Sequence, residues 1–171
     1  TVRLSRNPPH VTTMLLDFPT VAAAGEAVGG IIGAGVIPAA MEMMDQACVR
    51  AVEASIYAAG YPADAAAVLL VEVDGSAEAT EAEAALVESL LLRHRATEVR
   101  TATSAEERAR LWQGRKKAFG AMGRISPDLA VQDAVVPRST LPDILDRVAA
   151  IAAHYRLGVA NVFHAGDGNL H

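Results

Sequence analysis

The sequence has few of the groups that most readily betray a function. One of its 171 residues is cysteine, Cys48, which excludes an internal disulfide and points to a reducing compartment. Beside Val49 and Val52 in a helical pattern, Cys48 reads as a small buried hydrophobe. Aromatics are 4% of a chain that is 51% hydrophobic, so the core must pack small side chains, much of them Ala, around few large anchors. The net charge is -5 and no block of Lys or Arg forms a phosphate-tracking surface, which argues against nucleic acid as a partner. The longest uncharged stretch, residues 27–41, is too short to span a bilayer and is broken by Gly29, Gly30, Gly33, Gly35 and Pro38. The first residues lack the apolar segment of a signal peptide. No Ser-His-Asp or Cys-His arrangement is present, and Phe18-Pro19-Thr20 after the first strand is no Gly-rich phosphate cradle.

What is present alternates between strands and helices. Residues 1–9 read as a linker because Pro8 and Pro9 hold the residues before them out of a helix. Strands are expected over 10–18, 36–40, 67–73, 98–103, 129–136 and 159–163. Helices are expected after Thr20, after Asp45, over 80–95 from a Thr80–Glu83 capping box, from Ser104 to about Met122, and from Thr140 to Tyr155. Inward positions include Ile56, Leu86 and Leu90. Alternation alone fits a parallel doubly wound sheet. The missing phosphate loop and the repeated β-α-β pieces of about thirty residues favour an α+β fold instead: a ferredoxin-like α/β sandwich with helices covering one face of a mainly antiparallel sheet.

Few residues stand out chemically. A β-prone run leads into His164, a Gly-Asp-Gly-Asn turn follows, and His171 closes the chain. Two imidazoles on one hairpin form half a site for Zn, Mn or Fe(II); a Gly-rich hairpin that histidines merely flank has the same spacing. Asp167 and Asn169 suit a turn with left-handed backbone, and Asn169 also offers a donor for a substrate hydroxyl or carboxylate. Arg115 lies three residues after Trp112 and four before Phe119, near the apolar side of its helix. It reads either as a carboxylate clamp or as an Arg paired with Glu106 or Glu107. Glu72 reads as exposed on its strand, Glu42 as a cap or loop contact, and Met41, Met43 and Met44 as core filler.

The stretch Val162-Phe163-His164-Ala165-Gly166-Asp167-Gly168-Asn169-Leu170-His171 resembles the signature of the C-terminal domain of FAD-linked oxidases. This family includes D-lactate dehydrogenases, D-2-hydroxyglutarate dehydrogenase and the flavin subunit of glycolate oxidase. Residues 37–45, Ala59-Gly60-Tyr61-Pro62, residues 69–75, Trp112-Gln113-Gly114-Arg115-Lys116 and residues 123–128 extend the resemblance in order from about Pro8, and are most similar to the glycolate oxidase type. The resemblance implies a cap and substrate domain over residues 10–171 of an FAD-dependent enzyme. That enzyme oxidises glycolate or D-lactate to the 2-oxo acid by hydride transfer to FAD. His164 and His171 would bind a divalent metal, Arg115 the substrate carboxylate, and Asn169 the substrate.

The family's FAD-binding domain would precede Thr1. A Glu-His-Gly motif, supplying a further metal ligand and the general base, would follow His171. A Lys that some members carry is replaced in the region of Val131 and Gln132. The resemblance therefore implies that this chain alone holds no catalytic base, lacks turnover, binds metal weakly and FAD loosely, and exposes a sheet edge. It also implies partners, namely the FAD-binding domain and an iron–sulfur subunit, and a cytoplasmic location that extends to the periphery of the inner membrane. Two alternatives remain: a free-standing, non-catalytic α+β binding or interaction module, and a half-domain that pairs with its own copy.

Overall fold

A computed structural model describes residues 6–171, so the first five residues of the expected linker lie outside it. In chain order the elements are β1 (His10–Phe18), α1 (Val21–Gly33), β2 (Ala40–Asp45), α2 (Gln46–Glu53), β3 (Ala67–Gly75), α3 (Ala77–Arg93), β4 (Glu98–Thr101), α4 (Ala105–Lys116), α5 (Ala118–Met122), β5 (Ala134–Val135), α6 (Leu141–Tyr155), β6 (Val162–His164) and β7 (Asn169–Leu170). The strands form one sheet in the order β4-β1-β3-β2-β6-β7-β5. Every pairing is antiparallel. The first four strands, with α1 and α3, form the ferredoxin-like unit expected from the sequence. β6, β7 and β5 then widen it beside β2.

Helices cover both faces of this sheet rather than one. Met14, Leu16, Phe18, Met41, Met43, Leu69, Val71 and Phe163 meet α1, α3 and α6 through Val28, Ile31, Leu91 and Leu141. The alternate residues Leu15, Met44, Val68, Leu70 and Val162 meet α2, α4 and α5 through Val49, Val52, Leu111 and Met122. The reason lies in β3, whose consecutive run Val68-Leu69-Leu70-Val71 is apolar on both sides of the pleat and needs cover on both. The sheet edges, β4 and β5, are four and two residues long. Short edges of this kind offer little template to another chain.

Local chemistry sets most boundaries. The Thr20 hydroxyl accepts from Ala23 N, and the Asp45 carboxylate from Cys48 N, capping α1 and α2 as expected. α2 stops at Glu53, which leaves Ile56 exposed. Ser76, not Thr80, caps α3, so the buried face turns to Val87 and Leu91 while Leu86 faces solvent. The strand expected at 36–40 begins at Ala40. The helix expected to reach Met122 breaks at Lys117, and the strand expected at 129–136 shrinks to Ala134–Val135.

Cys48 is fully buried against the sheet. Burial and the nearby Asp45 carboxylate push its thiol up to about 12. A thiol reagent at pH 8 should leave the native chain unlabelled and titrate one thiol in urea; labelling without denaturant would show that the α2 face opens readily.

Candidate active site

The site grows out of one rung of the sheet. The register sets Glu42 opposite His164 across β2 and β6, and His164 opposite Asn169 across β6 and β7. Because side chains alternate, all three project from the face covered by α2, α4 and α5. The β6–β7 turn is held by Asp167, whose Oδ1 accepts from Asn169 N at 3.0 Å, and by Gly168 at φ +80°. Val162 N donates to the His171 carbonyl at 3.1 Å, which carries the pairing to the last residue and places His171 on the same face as Asn169. The His164 and His171 rings stand edge to face with centroids 5.7 Å apart. Phe119 of α5 lies edge-on to His171 at 6.0 Å.

Glu42 joins two of the expected site residues. Arg115 Nε donates to its Oε2 at 3.0 Å, and Nη2 lies 2.8 Å from the same oxygen as an ion pair. His164 Nδ1 lies 2.7 Å from Oε1. Glu42 and Arg115 are each 7% exposed, while the His164 side chain is half exposed. Asn169 Nδ2 donates to the Asp133 carboxylate at 2.9 Å, and His171 Nδ1 lies 3.5 Å from the same oxygen.

Helix α4 brings Arg115 to this rung. Arg108, Trp112 and Arg115 are spaced i, i+4, i+7 and form one stripe facing the sheet. Arg108 donates to Glu72 of β3 through Nε at 2.8 Å and Nη2 at 2.7 Å, and Trp112 Nε1 donates to it at 2.7 Å. Thr13 adds a hydroxyl donor at 2.6 Å. The helix is thus fastened to two glutamates on neighbouring strands. Close approach is possible because residue 114 is Gly: a Cβ there would come within 3.0 Å of Tyr61 and Ala59. Tyr61 in turn donates its hydroxyl to the Leu111 carbonyl.

Burial raises the Glu72 carboxyl, but the hydrogen bonds from Arg108, Thr13 and Trp112 outweigh it and hold the group below the usual carboxylate range. The unfolded chain therefore takes up the proton first on acidification. Glu72 contributes its full stability above an unfolded value of about 4.3 and loses it as pH falls through the lower folded value. Urea midpoints should drop between pH 7 and about pH 3.5, and Glu72→Gln should drop less over that span. Equal drops would sink the assignment.

The structure brings Arg115, His164, His171 and Asn169 to one patch. It corrects three readings of their surroundings. Glu72 is not an exposed strand residue, Glu42 is neither a cap nor a loop contact, and Arg115 pairs with Glu42 rather than with Glu106 or Glu107. Glu107 instead accepts from Thr103 N at 2.9 Å at the start of α4. Asp133 is an addition to the expected set, and no local pattern in the sequence marks it. Among the described residues, no group of three or more His, Cys, Asp or Glu side chains is arranged to hold a metal ion.

Three comparisons bear on this geometry. The family model "FAD linked oxidases, C-terminal domain" matches residues 7–171. The chain is 48% identical over all of its length to glycolate oxidase subunit GlcD of Escherichia coli K12, covering 34% of that protein. It is 37% identical over 99% of its length to GlcD of Bacillus subtilis, covering 36%. It is 27% identical to a mitochondrial D-lactate dehydrogenase [cytochrome] of Arabidopsis thaliana, covering 30%. It therefore spans about a third of the length of the curated relatives it matches. Among solved structures, an alkyldihydroxyacetonephosphate synthase shares the fold, with TM-score 0.71 at 15% identity over 97% of this chain and 36% of that one. No helix of the described residues is long and apolar enough to cross a membrane. With a family model matched from residue 7 to the last residue, over this sheet and these helices, the chain belongs to the C-terminal domain family of the FAD linked oxidases.

Proposed function

We propose that residues 10–171, after a linker over 1–9, form the cap and substrate domain of an FAD-dependent 2-hydroxy-acid dehydrogenase that oxidises glycolate or D-lactate to the 2-oxo acid. One observation carries this reading. A single buried carboxylate, Glu42, holds Arg115 on one oxygen and His164 on the other, beside His171 and Asn169. A guanidinium, two imidazoles and a carboxamide on one patch suit a small anion that bears a hydroxyl. The similarity to GlcD and to a D-lactate dehydrogenase supports the same substrate class.

Each residue has a role in binding. Glu42 accepts from Nε of Arg115 and pairs with its Nη2, and a substrate carboxylate would take the remaining guanidinium N–H donors. Asn169 already donates to a carboxylate, that of Asp133, and a substrate carboxylate or hydroxyl would take its place. Phe119 stands edge-on beside His171 and adds an apolar contact to the patch. His164 and His171 would be the residues to hold a divalent ion such as Zn, Mn or Fe(II), for which imidazole is a common ligand. Such an ion, when bound, would polarise the substrate hydroxyl as a Lewis acid. FAD, bound mainly by a separate flavin-binding domain, would supply the hydride-accepting chemistry when present. We assign the base for the hydroxyl proton to no residue of this chain, and the chain alone is expected to be inactive. Electrons would pass on to a partner subunit carrying iron–sulfur clusters, in the cytoplasm or at the periphery of the inner membrane.

The test is dye reduction by glycolate and D-lactate, measured on the polypeptide that carries this chain with its flavin-binding domain. Losing one charge-assisted hydrogen bond costs about 1.5–3 kcal/mol, so Arg115→Lys should lower kcat/KM by roughly 10- to 100-fold. A protein that reduces no dye with any 2-hydroxy acid would overturn the reading and favour a non-catalytic binding module.

A further inference from the structure

We propose that Glu42 is a positioning residue that fixes the tautomer of His164, holding the proton on Nδ1 and keeping the Nε2 lone pair free. The inference rests on the reading of His164 as a ligand-binding residue, but its geometry stands independently of any metal.

A guanidinium has only donors, and Arg115 donates from Nε to Oε2 of Glu42 at 3.0 Å, with Nη2 2.8 Å from the same oxygen. An ionised carboxylate facing a guanidinium can only accept. The other oxygen of Glu42, buried with the rest of the side chain, has His164 Nδ1 at 2.7 Å. A carboxylate oxygen at that distance requires a hydrogen on the nitrogen, so Nδ1 is the protonated nitrogen. A neutral imidazole then carries its lone pair on Nε2, and the ring is half exposed. Ligating histidines are oriented by a carboxylate on the other nitrogen in the same manner. What is specific to this chain is that the orienting carboxylate is shared with Arg115. The imidazole and the guanidinium are therefore fixed by one group.

That sharing makes Glu42→Gln informative despite its nearly unchanged shape. The amide has one acceptor and one donor end. Arg115 can only donate, so the amide oxygen turns to Arg115 and the NH2 turns to His164. Nδ1 must then accept, which moves the proton to Nε2 and blocks the free lone pair.

The experiment uses the full 171-residue chain, labelled with 15N and free of metal, at about pH 8, above the ordinary imidazole value of about 6.5. Long-range proton–nitrogen correlations report each ring's tautomer, and the signals of His164 are assigned by their disappearance in His164→Asn. We expect an unprotonated Nε2 in the wild type and an unprotonated Nδ1 in Glu42→Gln, with amide spectra showing both folded. Zinc titration should then show affinity about 10- to 100-fold weaker in the variant. A wild-type His164 protonated on Nε2, or a folded Glu42→Gln with the wild-type tautomer, would overturn the proposal. If Glu42→Gln does not fold, the wild-type spectrum alone decides. The expected tautomers, with no zinc bound by the polypeptide that carries this chain with its flavin-binding domain, would sink the metal reading and leave the positioning role intact.

Discussion

Arg115→Met should destabilise the chain by about 3–5 kcal/mol, the usual cost of leaving one partner of a buried ion pair uncompensated. Arg115 and Glu42 are each 7% exposed, so little water is available to solvate the carboxylate left behind. The Nε hydrogen bond and the Nη2 ion-pair contact go at once, and among the described residues His164 is the neighbour left bonded to Glu42. The measurement is the urea midpoint with an unchanged slope. The decisive comparison is the double variant Glu42→Met with Arg115→Met. Apolar groups of similar volume commonly replace a buried pair at no net cost, so the double variant should recover most of the loss. Additive losses would mean that the methionines pack badly, and a single-variant loss under about 1 kcal/mol would place the pair effectively in solvent.

Gly168→Ala is the second large effect. Its φ of +80° lies in the left-handed region that costs an L-residue about 1–2 kcal/mol. A Cβ there would also overlap the Val136 carbonyl oxygen, forcing β5 away and straining the bond from Val136 N to Gly168 O at 3.0 Å. That adds about 0.5–1.5 kcal/mol. The expected loss is about 2–3 kcal/mol, together with altered chemical shifts for His171, Asn169 and Asp133. Gly166→Ala is the control. Its Cβ would meet Met41 at an ordinary 3.5 Å and no positive φ opposes it, so the loss should be small. Similar losses for the two would show that the turn lacks the stated geometry.

The fold was legible where a residue's chemistry is local. Thr20, Asp45 and Ser104 announced their helices because a cap needs only three residues of context. β1 and β3 read correctly from their β-branched and apolar runs. The short strands β5 and β6 were expected over longer stretches, 129–136 and 159–163, and β7 was not expected, because two or three residues carry no periodicity and form only where a neighbour supplies hydrogen bonds. In the site, His164, His171, Asn169 and Arg115 stood out through residue type and family resemblance, but their connector did not. Glu42 is bonded to Arg115 and His164 across 73 and 122 residues, and no local rule spans that distance. One signal was available. A Glu between Met41 and Met43, or between Val71 and Val73, sits in a strand apolar on both sides, and a carboxylate in such a strand needs a buried partner. Reading Glu72 as solvent-facing and Glu42 as a cap applied a surface rule to central strands.

The same two glutamates have a part to play before the site exists. As the chain leaves the ribosome, β1, β2 and β3 can pair well before α4 and α5 arrive to cover them. The face they wait with carries Leu15, Met44, Val68 and Leu70, a surface prone to association with other chains. Glu42 and Glu72 lie among these residues as hydrated charges until Arg108, Trp112 and Arg115 dock. Charges in such a place act as gatekeepers against aggregation. Glu72→Leu would thus be expected to yield more insoluble protein during synthesis than its equilibrium stability alone would account for.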